Sequence, residues 1–131
     1  ELDADIRRRP TVDDLDYHMT TLFPPVRPCG HLEVRYLDAQ PAESWQVPVA
    51  ALEALLSAPE VSAEACAIAA PVRDQWAEAA RVGLVSLELR SAAAGLLSLA
   101  AESSRDMRFT AELDAAAARC LRGLAPGEEV R

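Results

Sequence analysis

Glu33 and Arg35 are the residues whose type and spacing most suggest chemistry. They lie in "HLEVRYLD", where Leu32, Val34 and Tyr36 alternate with His31, Glu33 and Arg35, the period of a β-strand. Side chains two apart on a strand share a face at about 7 Å, so the carboxylate and the guanidinium point the same way. A carboxylate is a hard oxygen ligand for Mg²⁺, and a guanidinium is a permanently charged planar fork for phosphate oxygens. Side by side they would suit Mg-ATP. The same pattern also describes a solvated ladder of surface charges, worth less than about 1 kcal/mol. Spacing alone favours that second reading.

Several elements must hold this strand in place. Thr11 with Asp14 three residues on has the form of a capping box, so "TVDDLDYHMTTL" opens a helix that runs to about Leu22. Phe23 then meets Pro24 and Pro25, where a helix cannot continue, and Pro28 to Gly30 has the composition of a turn. The chain changes character near residue 42. Proline is dense before it, at Pro10, Pro24, Pro25, Pro28 and Pro41, and alanine and leucine dominate after it. The spacing predicts helices over 47–57, 62–82, 87–103 and 109–122. Leu52, Leu55 and Leu56 sit at helical spacing. Ser62 and Ser86 are candidate caps, Ala65 and Ile68 form an inner face, and Gly123 with Pro126 ends the last helix. Pro71 must kink its segment or start a new helix. The expected architecture is α+β, with residues 1–41 as a sheet segment and 42–131 as an Ala-rich bundle of about four helices in a single domain.

Composition narrows the function classes. A chain of 131 residues suffices for one compact domain. Its net charge of −8, from 21 acidic and 13 basic residues, repels polyphosphate backbones and argues against nucleic acid. All the basic residues are Arg and alanine occurs 26 times, the mark of GC-rich coding rather than of a phosphate-binding design. No apolar run has the length of a membrane helix, so a membrane is not an expected partner. Cys29, Cys66 and Cys120 are odd in number and widely spaced, which fits a reducing cytoplasm better than a disulfide framework or a zinc site. Cys66 and Cys120, among alanines, read as small core residues. Trp45 and Trp76 read as packing anchors, with adenine stacking as the alternative, and Arg73, Arg81, Arg90 and Arg105 as solvated faces.

The stretch "HMTTLFPPVRPCGHLEVRYLDAQP" resembles the signature of the glutamate-cysteine ligases of the plant and actinobacterial type, approximately H-L-T-T-x-F-P-x-V-R-x-x-x-x-L-E-x-R-x-x-D. It is most similar to the actinobacterial branch that serves ergothioneine synthesis. The resemblance implies a fold related to glutamine synthetase, in which an antiparallel sheet curls into a funnel around Mg-ATP and glutamate; one or two of its strands would lie here. It implies ATP-dependent ligation of the glutamate side-chain carboxylate to the amine of cysteine, through γ-glutamyl phosphate, giving γ-glutamylcysteine. Glu33 matches the family's acidic position and resembles a Mg²⁺ ligand. Arg35 and Arg27 match positions similar to arginines that hold ATP phosphates or a substrate carboxylate. His18 and Thr20 match as further nucleotide-binding candidates, although a helical histidine with Asp14 at i−4 is more often a structural hydrogen bonder. Asp38 is expected to hold a turn at the strand end.

Cys29 and His31 depart from the family, which carries a basic and an aromatic residue at those positions. A catalytic thiol at Cys29 lacks any His and acid arrangement to activate it. Complete ligases of this type are several times longer, so the chain is expected to be a C-terminal piece whose partner is the missing N-terminal part of the same polypeptide. Two other readings stay open: a carboxylate-amine ligase with a different amine acceptor, and a non-catalytic helical interaction module.

Overall fold

The computed structural model describes residues 8–128. The chain divides between Asp38 and Ala39 into two compact units. Among the described residues there are six α-helices and one two-stranded antiparallel sheet, an α+β composition. No single described helix is long and apolar enough to cross a membrane.

The first unit holds helix α1 (Val12–Thr21) and strands β1 (Val26–Pro28) and β2 (Leu32–Val34). The expected capping box is formed: the Asp14 amide donates to Thr11 Oγ1 at 3.4 Å, and Asp14 Oδ2 accepts from the Thr11 amide at 2.7 Å. Arg8 donates to the other oxygen of the same carboxylate at 2.6 Å. Leu22 leaves the helix in extended conformation, one residue before Phe23 and the proline pair. β2 is shorter than the alternation suggested, because β1, its partner among the described residues, is three residues long. None of the described residues in this unit is buried. Val12, Tyr17, Phe23 and Leu32 are all more than 60% exposed, so the unit has apolar faces without a core of its own.

The second unit holds α2 (Gln46–Leu55), α3 (Pro59–Ala69), α4 (Trp76–Val82), α5 (Leu87–Ser103) and α6 (Met107–Leu121). Pro71 explains why the expected 62–82 helix is two. α3 stops at Ala69, a 3₁₀ turn covers Ala70–Val72, and α4 begins at Trp76. Ser62 does not cap: α3 already starts at Pro59 behind Ala58, and the Ser62 hydroxyl donates to the Leu55 carbonyl at 2.9 Å. Ser86 does cap α5, accepting from the Leu89 amide, and Asp106 caps α6 in the same way toward Arg108. Gly123, at φ +74°, ends α6 in the left-handed conformation that L residues disfavour.

The core joins α2, α5 and α6. Val47, Ala51, Ala54, Ala100, Ala101, Leu113 and Ala116 form it, flanked by Leu55, Leu97 and Phe109. Among the described residues Leu113 is the one large side chain fully withdrawn from water, and alanines surround it, so the helices approach closely. Gly95 does the same for α3, since a Cβ there would stand 3.1 Å from Ile68 Cγ2.

Several surface readings change. Cys66 is exposed rather than in the core, and Trp45 and Trp76 are 56% and 63% exposed. Cys120 is half-buried, and burial raises its thiol above the ordinary value. Arg90 is not a solvated face. Its Nε donates to the Leu84 carbonyl at 2.9 Å, and its guanidinium occupies the space where a Gly123 side chain would sit.

Leu113→Ala should therefore lower unfolding free energy by about 2–5 kcal/mol in urea titrations of the 131-residue chain. Val85→Ala, at a position 76% exposed, should change it by less than about 0.5 kcal/mol.

Candidate functional site

Gly30 sets the hairpin. At φ +80° it turns the chain through Cys29, Gly30 and His31, and the Cys29 amide donates to the His31 carbonyl at 2.8 Å. The register that follows pairs Val26 with Val34, Arg27 with Glu33 and Pro28 with Leu32. The Arg35 amide donates to the Pro25 carbonyl at 2.8 Å, which extends the ladder by one pair. Hydrogen-bonded pairs thus alternate at Cys29–His31, Arg27–Glu33 and Pro25–Arg35. Pro28 falls between them, where its missing N–H is not needed, and Pro25 contributes only its carbonyl.

This register sorts the side chains onto two faces. Val26, Pro28, Leu32 and Val34 lie on one; Arg27, Cys29, Glu33 and Arg35 lie on the other. On the charged face Glu33 sits between two guanidiniums. Arg27 Nε and Nη2 approach Glu33 Oε2 at 2.8 and 2.7 Å, and Arg35 Nη1 approaches Oε1 at 3.2 Å. The Arg35 guanidinium also lies over the Phe23 ring, 4.7 Å from its centroid. Cys29 Sγ stands 3.7 Å from Glu33 Oε2, so the thiol borders the charged cluster rather than facing away from it.

Glu33 and Arg35 share a face as the strand period requires. Arg27, whose place came only from the motif, is directly opposite Glu33. Symmetry about Gly30 was the signal in the sequence that could have revealed this. His18 and Thr20 are on α1, and no hydrogen bond or ion pair joins either to the cluster among the described residues. The Thr20 hydroxyl donates to the Tyr17 carbonyl at 2.6 Å, and the His18 carbonyl accepts from the Thr21 hydroxyl at 2.7 Å.

The hydrogen bond from Arg27, reinforced by the positive charges of Arg27 and Arg35, holds the Glu33 carboxyl below its ordinary pKa. The same bond raises Arg27. With two cations around one anion, the face keeps a net positive charge suited to an anionic ligand. No three His, Cys, Asp or Glu side chains converge on a metal position among the described residues. Glu33 therefore offers one hard donor, which fits Mg²⁺ only in its usual mode of one or two carboxylates completed by phosphates and water.

Residues 2–130 match the family described as Glutamate-cysteine ligase family 2(GCS2). A curated relative, "Glutamate--cysteine ligase EgtA" of Mycolicibacterium smegmatis, is 48% identical over 107 residues, which cover 82% of this chain and 24% of the relative. The protein of that name from Mycobacterium tuberculosis is 43% identical over 126 residues, 93% of this chain and 28% of the relative. The chain thus spans about a quarter of the length of the curated relatives it matches. No solved structure gives a significant match.

The depressed Glu33 pKa carries a sign. Its ion pairs favour the hairpin fully above the ordinary carboxylate range and lose that contribution as pH falls through the depressed value. A carbon-detected NMR titration should place the Glu33 midpoint below that of an ordinary glutamate. Arg27→Gln should move it upward.

Proposed function

The chain belongs to glutamate-cysteine ligase family 2, and we propose that, together with further polypeptide that completes its sheet, it joins the side-chain carboxylate of glutamate to the amine of cysteine using ATP. The observation that carries this reading is the charged hairpin face, with Glu33 held between Arg27 and Arg35. In the first step a glutamate side-chain oxygen attacks the γ-phosphorus of ATP, the bond to the β,γ-bridging oxygen breaks, and γ-glutamyl phosphate and ADP form. In the second, the neutral amine of cysteine attacks the acyl carbon. Phosphate leaves with the bonding pair, the amine proton is lost, and γ-glutamylcysteine remains.

Both steps place negative charge on phosphoryl oxygens, so groups fixed in advance around those oxygens lower the barrier. Arg27 and Arg35 are suited to that work. Each guanidinium has five N–H donors, so contact with Glu33 leaves donors for phosphate. Their mutual contact with Glu33 keeps the two forks on one side of the hairpin before the nucleotide arrives, which limits the ordering cost at binding. Mg²⁺, when bound, would offset phosphate charge, and Glu33 would supply one of its oxygen ligands. His18 and Thr20 serve as outer nucleotide contacts in this reading, and Thr20 must give up its bond to the Tyr17 carbonyl to do so.

Further strands would give the glutamine-synthetase-like funnel its wall and would cover Val26, Leu32 and Val34, which are unburied in this unit. Three free cysteines and a need for ATP are consistent with a cytoplasmic setting. The residues of the hairpin do not themselves select cysteine, so the acceptor is fixed by the experiment.

ADP release by the polypeptide encoded by the complete reading frame, with glutamate, Mg-ATP and cysteine, tests the reading. Glu33→Gln should lower cysteine-dependent turnover by about 100-fold or more. Unchanged turnover would remove Glu33 from the site, and release driven by another amine but not by cysteine would replace the acceptor. The 131-residue chain alone should form no γ-glutamylcysteine.

A further inference from the structure

Arg27 and Arg35 do not hold Glu33 equally. Arg27 meets one carboxylate oxygen through two nitrogens, at 2.8 and 2.7 Å, whereas among the described residues Arg35 meets the other oxygen through Nη1 alone, at 3.2 Å. A single hydrogen bond at the long end of the normal range fixes the reach of a guanidinium but not its plane. Arg35 is nevertheless the more covered of the two, with 26% of its side chain exposed against 40% for Arg27. Its second contact is the ring of Phe23, whose centroid lies 4.7 Å from Cζ of Arg35.

The backbone puts the ring there. α1 ends at Thr21, Leu22 is extended, and Pro24 biases Phe23 toward extended conformation as well. Pro25, two residues after Phe23, accepts the Arg35 amide at 2.8 Å, so the bond that closes the ladder brings ring and guanidinium to the same end of the hairpin. The ring is mostly exposed, in a unit with no buried residue among those described, so it does not serve a core there. A guanidinium lying over a ring spends none of its N–H donors on that contact, and they stay available for phosphate oxygens. The two restraints on Arg35 also respond differently to Mg-ATP. Glu33, acting as a metal ligand, gives electron density to the cation and loosens its bond to Arg35, while the ring contact is untouched by that exchange.

We propose that Phe23 is a positioning residue for the ligation: its ring holds the Arg35 guanidinium on the charged face, so that the fork meets the transferred phosphoryl group already ordered. This role rests on the ligase reading and deepens it. Phe23 itself acts through Arg35, and an aromatic face, rather than apolar bulk, is what the position requires.

The test uses the polypeptide encoded by the complete reading frame, with glutamate, Mg-ATP and cysteine. Phe23→Leu removes the ring and keeps an apolar side chain, whereas Phe23→Tyr keeps the ring. The leucine variant should lower kcat by about fivefold or more with KM for cysteine within about twofold of wild type, and the tyrosine variant should stay within about twofold in both. A second readout needs no turnover. The Hε proton of Arg35, assigned in the ¹⁵N-labelled 131-residue chain by its disappearance in Arg35→Gln, should be shifted upfield by the ring current in wild type and lose that shift in Phe23→Leu. Full turnover in Phe23→Leu, equal losses in the leucine and tyrosine variants, or an Arg35 resonance indifferent to the ring would overturn the proposal alone. Absence of cysteine-dependent turnover in wild type would overturn the ligase reading, and with it the catalytic use of the contact.

Discussion

The pairing of Arg27 with Glu33 across the hairpin is the constraint on which the charged face depends. Because side chains alternate with a period of two, a slip of one residue would bring Pro28 or Val26 opposite Glu33 and turn Arg27 toward the apolar side. Three features oppose that slip. Gly30 adopts the positive φ needed at the turn, Pro28 falls where no donor is required, and Pro25 ends the ladder with a carbonyl alone. A shifted register would put a proline where the ladder needs an N–H. Backbone rules, rather than the ion pair itself, therefore fix the carboxylate between the two guanidiniums. The ion pair is half-exposed and adds little stability; its value is orientation.

The helical unit rests on a different constraint, close approach. Its core is made chiefly of alanine around Leu113, with Val47 among them and Leu99 also buried. Small residues let α2, α5 and α6 come together, but they bury little apolar surface per residue, so Leu113 matters out of proportion to its size. The same ends of those helices frame a cleft lined by Glu53, Ser103 and Arg105. The first unit, in contrast, has faces but no interior, which accords with a chain that spans about a quarter of its curated relatives.

Local rules made much of this legible in the sequence. The Thr11–Asp14 cap, the Ser86 cap, the break at Pro71 and the shared face of Glu33 and Arg35 each depend on residues within a few positions of one another. What was missed depends on partners. β1 is too short and too rich in proline to announce itself, and only pairing with β2 makes it a strand. Ser62 looked like a cap because serine is a favoured cap, but Pro59, suited to a first helical position, starts the helix three residues earlier. Cys66 was assigned to a core by its alanine neighbours, yet its side of α3 meets water. Arg90 and Arg105 looked alike in the sequence. One holds a turn carbonyl and the other borders a cleft, a difference set entirely by tertiary packing. The motif from His18 to Asp38 pointed to the family, whereas the opposition of Arg27 and Glu33 needed the register.

The central claim is that the arginines of this face act on the phosphoryl group, and positional isotope exchange tests it most directly. ATP labelled with ¹⁸O at the β,γ-bridge is incubated with the complete enzyme and glutamate in the absence of cysteine. Reversible formation of γ-glutamyl phosphate predicts glutamate-dependent movement of the label to non-bridging positions in wild type, and its loss in Arg27→Gln and Arg35→Gln. Scrambling that continues at the wild-type rate in both variants would contradict the account and leave the hairpin arginines a structural part only.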